Sequence, residues 1–325
     1  MKPKRAAGVA TLFLLLAILL VAGQDFCQTN QENAVQLVPP VWQTKASLTL
    51  GTPAGVEQML LMKLTSILLK EQGYRVEEMT FADGYTIRNA LERGYIDLYW
   101  EYTNTARIIY QEKPPIFDPQ AAFERVAEED RKKGMIWLAP SHLNNAWAII
   151  MKEQVARILH IKTISDLVAY AENSEYRVKF AATRMFTDTE KGFDRLKQTY
   201  GFSPAKADII TLDNDLLGHA VLEANVDVAV GWVTYGKLMD SKLVVLEDDR
   251  HMFPPYHIAP VMNEQALQKH PELRELLQKL TDVLTEEKMR ELNYRVSVLN
   301  EPPSKVARIF LTQEGLIPSE HADPS

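Results

Sequence analysis

The sequence predicts an α/β protein whose sheets are mainly parallel. Nine short apolar runs recur along the chain, several nearly continuous in hydrophobic residues, as strands buried on both faces require. Segments with helical spacing lie between them, the alternation that builds strand–helix–strand units. Over 325 residues, 46% hydrophobic and 24% charged positions give ordinary globular composition, enough chain for about two domains.

The chain opens with Lys2, Lys4 and Arg5, followed by an apolar run over residues 9–22 and the small residue Gly23. That is the layout of a secretory signal peptide, expected at 1–23; the alternative is an uncleaved membrane anchor. Cys27 follows Gln24, Asp25 and Phe26 rather than small residues, so lipidation is not expected. Residues 24–44 are polar, carry Pro39-Pro40 and read as a flexible lead-in.

Strands are expected at 46–51, 75–81, 96–102, 147–151, 177–183, 207–213, 226–232, 243–247 and 259–262. Thr52 can cap the first helix with Pro53 at its first position and Gly73 at its end. Met59, Leu60, Leu64, Ile67 and Leu68 form one stripe of that helix. Asp118-Pro119 starts another helix that Gly134 stops, and Gly201 closes a third. Late helices at 271–284, 286–296 and 304–314 have no strands between them, so they should pack outside an existing sheet.

Several chemistries are excluded or unsupported. A net charge of −7 disfavours sequence-independent nucleic-acid binding, which needs clustered Lys and Arg. A single Cys excludes an intrachain disulfide, a cysteine-ligated zinc site and a dithiol redox pair. There is no glycine-rich phosphate loop and no GxSxG elbow. His251 and His257 flank Phe253-Pro254-Pro255-Tyr256 without metal-ligand spacing, and Asp248-Asp249 reads as a solvated turn. No cofactor, no metal and no enzymatic activity are expected. Tyr99, Trp100 and Trp137 read as packing, whereas Tyr102, Trp147, Trp232 and Tyr256 sit at strand ends or against Pro- and Asn-rich turns. Open α/β sheets bind ligands outside the carboxyl ends of their strands.

The segments GTPAGVEQ (51–58), NALERGYIDLYWEYTNTA (89–106), WLAPSHLNNAWAI (137–149), LVVLEDDRHMFPPYHIAPVM (243–262) and LTEEKMRELNYRV (284–296) occur in that order. Together they resemble the substrate-binding proteins of osmoprotectant ABC importers, the glycine betaine/choline/carnitine group, from about residue 46 to 316. The resemblance implies a two-lobed α/β fold of the periplasmic-binding-protein type (type II-like), with the ligand in a cleft between lobes. Lobe 1 would be 45–147 plus 253–320 and lobe 2 would be 148–252. It implies an aromatic box for a trimethylammonium head from Tyr102, Trp147, Trp232 and Tyr256. Gln58, Thr105 and Asn145 match positions that hold the polar end. A periplasmic monomer would capture a quaternary ammonium solute, glycine betaine, choline or similar, for ABC permease subunits. Relatives carry Gly where Asn104 stands, an aromatic-Thr pair where Gly55-Val56 stand, Asp where Tyr235 stands, and Arg where Thr189 stands. The missing Arg favours choline or another cation over a carboxylate-bearing ligand. A different amine or amino-acid-like ligand, or a sensor role on the same scaffold, stays open.

Overall fold

The computed structural model describes residues 45–187, 192–240 and 242–319. The expected signal peptide 1–23, the lead-in 24–44 and Thr189 lie outside the described residues. Among the described residues, ten strands form two five-stranded sheets. The first contains β1 (Ser47–Pro53), β2 (Arg75–Phe81), β3 (Leu98–Tyr102), β4 (Met135–Trp137) and β10 (Ile258–Asn263), in the order β2-β1-β3-β10-β4. The second contains β5 (Trp147–Lys152), β6 (Phe180–Ala182), β7 (Ile209–Thr211), β8 (Val228–Trp232) and β9 (Leu243–Val245), in the order β7-β6-β8-β5-β9. All nine expected strands are present. The tenth, β4, is three residues long, too short to carry a period; pairing with β10 holds it extended.

The sheets are mixed rather than mainly parallel. Within each, β1 with β2 and β3, and β6 with β7 and β8, are parallel, as crossover helices demand. The exceptions are β10, antiparallel to β3 and β4, and β5, antiparallel to β8 and β9. These two are the first strands laid down after the chain passes from one sheet to the other. Their direction is set by the crossing, not by a strand–helix–strand unit, and no local sequence signal marks it.

The first helix starts later than its apparent cap. Thr52 and Pro53 pair with Thr80 and Phe81 as the last residues of β1, and α1 runs over Val56–Glu71 from Gly55. Gly55 has φ +142°, a conformation that favours glycine. This displacement puts Glu57 and Gln58 in the first turn of α1. The helix is buried on more than the expected stripe: Leu61, Met62, Thr65, Ser66 and Leu69 are buried along with Leu60, Leu64 and Leu68. The cause is a second layer. The late helices α8 (Glu286–Ser297) and α9 (Pro303–Gln313) cover the side of α1 away from its sheet. The helices between them follow their punctuation: α2 (Gly84–Glu92) is capped by Asp83, α3 (Pro119–Arg131) by Asp118, α4 is Ile164–Asn173, α5 is Phe193–Tyr200 ending at left-handed Gly201, α6 is Asn214–Leu222 and α7 is Leu273–Val283.

Two features hold connecting segments in place, one against α8 and one within residues 165–253. The turn at Gly236 lies so close to α8 that a Cβ there would meet the Tyr294 amide nitrogen at 2.7 Å. Asp248-Asp249 enters a turn in which Asp249 is exposed, as expected, but the doublet also holds its surroundings together. Asp248 accepts from the Tyr200 hydroxyl (2.7 Å) and the Met252 and Phe253 amides (2.9 and 2.8 Å), while Asp249 accepts from the Ser165 amide (3.1 Å). The doublet satisfies the backbone of the returning connection, where the chain has no ladder partner.

Candidate ligand site

The carboxyl ends of β3 and β8 and the first residue of β5 open onto one cavity of about 840 Å³. Tyr102 ends β3, Trp147 begins β5 and Trp232 ends β8. Tyr256 reaches the same cavity from the loop before β10. It is fixed there because its amide donates to Asn144 Oδ1 (2.6 Å) and its carbonyl accepts from the Asn145 amide (3.1 Å). Asn104, fully buried, donates to the carbonyls of Pro255 (2.6 Å) and Ile116 (2.9 Å), and so clamps the turn after Tyr102 to the loop of Tyr256. That accounts for an amide at a position where glycine was expected. Gln58, Thr105 and Asn145 also line the cavity, so all seven residues singled out from the sequence share it.

The four rings do not stand as four separate walls. Trp147 and Trp232 are register partners on β5 and β8, and their side chains leave the same face of the sheet. Their ring centroids are 3.6 Å apart at 28°, a stacked pair. Tyr256 meets Trp232 edge-on at 6.3 Å, and Phe186 leans on Trp147 at 5.3 Å. Nothing fits between rings at stacking distance, so the tryptophans form one doubled wall.

Opposite chemistry gathers around Glu57, which the sequence reading passed over. Its carboxylate accepts from the Tyr102 hydroxyl, from Asn145 Nδ2 (2.8 Å) and from Asn293 Nδ2 (2.8 Å). Thr234 Oγ1 donates to Asn145 Oδ1 (2.8 Å), and Asn293 also donates to the Thr234 carbonyl (2.9 Å). Burial pushes the Glu57 carboxyl above its usual range, and the bonds from Tyr102, Asn293 and Asn145 oppose that push. The visible signal was an acidic residue beside Gln58 in an otherwise apolar helix start. The partners Thr234 and Asn293, far away in sequence, gave none.

A family description, the substrate-binding domain of ABC-type glycine betaine transport systems (OpuAC), matches residues 46–313. The chain belongs to this family. Among OpuAC-type relatives is a glycine-betaine-binding protein of Pseudomonas aeruginosa, 33% identical over 276 residues, covering 83% of this chain and 89% of that protein. An ergothioneine transport permease/ergothioneine binding protein of Helicobacter pylori, EgtU, is 29% identical over 87% of this chain, which spans 50% of EgtU. A crystal structure described as a glycine betaine/carnitine/choline ABC transporter shares the fold, with TM-score 0.75 at 24% identity over 83% of this chain and 99% of that one. The fold class expected from the sequence, α/β with two lobes, is the one these OpuAC-type proteins share.

Behind Tyr102 of this OpuAC-type chain lies a buried polar cluster. Glu101 accepts from the Tyr102 amide (2.8 Å) and from the Tyr99 hydroxyl (3.1 Å); Arg88 donates to Tyr99 (3.1 Å) and to Asp130 (2.7 Å). Trp137 Nε1 and Gln111 also donate to Asp130. Tyr99, Trp100 and Trp137 are thus packed inside, as their spacing suggested, with their polar atoms bonded. Burial raises the Glu101 carboxyl to about 7 from 4.5, against the opposing charge of Arg88. A raised acid favours the folded state fully below pH 4.5, and that contribution is lost as pH climbs through about 7. The expected result is that Glu101→Gln gains stability relative to the wild type as pH rises from about 5 to about 8. Urea midpoints for the two proteins across that range measure it; a constant difference would remove Glu101 as the titrating group.

Proposed function

We propose that this chain is an extracytoplasmic solute-binding protein that captures a quaternary ammonium compatible solute and delivers it to an ABC permease. The observation that carries the reading is one cavity lined by the Trp147–Trp232 pair, Tyr256, Tyr102 and the Glu57 carboxylate. A quaternary ammonium has no N–H to donate, and its charge is spread over methyl groups. Ring faces supply negative potential and apolar area together, roughly 0.5–2 kcal/mol per ring. The doubled tryptophan wall would take the methyl groups on its open face and edges, and Glu57 would balance the charge. Gln58, Thr105 and Asn145 would hold the polar end of the solute.

The rings come from both sheets, which supports a clamp. Lobe 1, residues 45–147 plus 253–320, and lobe 2, residues 148–252, would close over the ligand. Closure gains stability from contacts that only the closed state makes. The permease would read the closed shape. In this reading the protein is a periplasmic monomer, exported by its leader, and performs no chemistry on its cargo.

A second reading keeps the head group and enlarges the rest. A cavity of about 840 Å³ is in the range that holds drug-sized ligands, and EgtU is named for ergothioneine, a trimethylated amino acid. Calorimetry with glycine betaine, choline, carnitine, ergothioneine and ectoine tests both readings. Binding of at least one trimethylammonium compound near micromolar affinity, about −8 kcal/mol, is expected. Silence from the whole set would sink the proposal, and a preference for ergothioneine would select the larger solute.

A further inference from the structure

The two sheets are joined by more than the chain that runs between them. The chain crosses twice, between β4 and β5 and between β9 and β10. A third link is made by α8, whose Met289 and Leu292 are buried in the core of the first sheet together with Leu60 and Leu64 of α1. Its other side meets the turn that leaves β8 just after Trp232. Arg290 Nε donates to the Val233 carbonyl (2.9 Å), and Asn293 Nδ2 donates to the Thr234 carbonyl (2.9 Å). Two residues on, Gly236 lies against the α8 backbone. A Cβ there would meet the Tyr294 nitrogen at 2.7 Å, and the Asn293 carbonyl carbon and Tyr294 Cα at 2.8 Å. All three are main-chain atoms, which cannot swing aside as the end of a flexible side chain could. Gly236 does not adopt a positive φ, so its missing side chain serves the close approach and not the backbone angle.

Resting on the solute-binding reading above, we infer that α8 is the pivot on which the second sheet is set, with Gly236, Arg290 and Asn293 as positioning residues that fix Trp232 relative to Glu57. Trp232 is two residues from a carbonyl that α8 holds, so its end of β8 can shift little without breaking that bond. The Asn293 amide also donates to Glu57 (2.8 Å), so one side chain spans the turn of the second sheet and the carboxylate on α1. Asn145 repeats the tie from the crossing segment, donating to Glu57 (2.8 Å) and accepting from Thr234 Oγ1 (2.8 Å). The aromatic wall and the carboxylate are thereby held at a set separation before any ligand arrives, which lowers the ordering cost of binding. A contact between bare backbones blocks closer approach but has no interlocked side chains to oppose rotation. Closure then turns the outer part of the second sheet about α8, while Trp232, beside the pivot, stays in place.

Spin labels on the outermost strands test this, at Glu77→Cys on β2 and Ile210→Cys on β7, both exposed, in a Cys27→Ser protein. The distance between the labels is read without ligand and with glycine betaine, choline or carnitine, alongside calorimetry of the same three compounds. Gly236→Ala should shift the ligand-free distance and weaken the best-bound compound by at least ~10-fold. Arg290→Met should do the same to a smaller degree. Arg290→Lys, which can still donate to the Val233 carbonyl, should restore the distance and the affinity of the wild type. Thermal melts check folding, and if Gly236→Ala does not fold, the two Arg290 variants carry the comparison. Folded variants that melt lower yet keep the wild-type distance and affinity would reduce α8 to a stabilising contact and overturn the inference. So would an Arg290→Lys protein no better than Arg290→Met. If the wild type binds none of the three compounds, the solute-binding reading fails, and the ligand-free distances still decide whether α8 sets the second sheet.

Discussion

Replacing Asp130 by Ala is expected to cost about 3–5 kcal/mol of unfolding free energy, a large share of the ~5–15 kcal/mol a domain has. Asp130 is 1% exposed and accepts from Arg88, Trp137 and Gln111. Removing it leaves a guanidinium that is 6% exposed with Glu101 as its remaining carboxylate, 3.9 Å away. The loss is therefore mostly an orphaned charge, not the net worth of the pair. The double variant Arg88→Met with Asp130→Leu removes both charges and should recover more than half of the loss. Chemical denaturation of the three proteins measures it. A single-variant cost below about 1 kcal/mol would mean that water reaches the cluster and that it is not the buried network described. The cluster also matters for the site: Glu101 holds the Tyr102 amide, so a loosened cluster should loosen the ring at the end of β3.

Trp232→Ala should weaken binding of the preferred trimethylammonium ligand by roughly 1–3 kcal/mol, about 5- to 150-fold, through lost ring attraction and lost apolar contact. The effect is bounded because deleting Trp232 bares the stacked face of Trp147, which can take some of the methyl contact. Trp232→Leu keeps apolar volume without a ring and separates the two contributions. If it binds like the wild type, burial alone holds the ligand. If Trp232→Ala does, the doubled wall is not the ligand wall. Calorimetry with the same ligand on all three proteins decides.

Much of this was legible in single residues. Gly201, Asp118-Pro119 and the alternation of apolar runs with helical segments marked elements because each is a local constraint on backbone angles or burial. The seven candidate residues were legible through a family resemblance carried by short motifs, and they do line one cavity. Other parts were misread for one physical reason. Thr52-Pro53 has the local chemistry of a helix start, yet pairing with Thr80 and Phe81 keeps it in a strand. Asp248-Asp249 does enter a turn with Asp249 exposed, yet Tyr200 and the amides of a crossing chain also use Asp248, which its own neighbours did not indicate. Glu57 carried only a weak local mark, because a charge at a helix start usually belongs to solvent and its partners Asn145 and Asn293 are distant in sequence.

The sequence by itself determined the element types, most of their limits and the aromatic character of the strand ends. Those follow from backbone preference and from the periodicity of apolar side chains, which are short-range properties. Only the tertiary structure decided the reversed direction of β5 and β10, the stacking of Trp147 on Trp232, and the meeting of Glu57 with Asn145 and Asn293. Each of these joins residues distant along the chain. Register across a sheet and desolvation of a charge depend on what the fold brings alongside, and a residue's own neighbours in sequence do not contain that information.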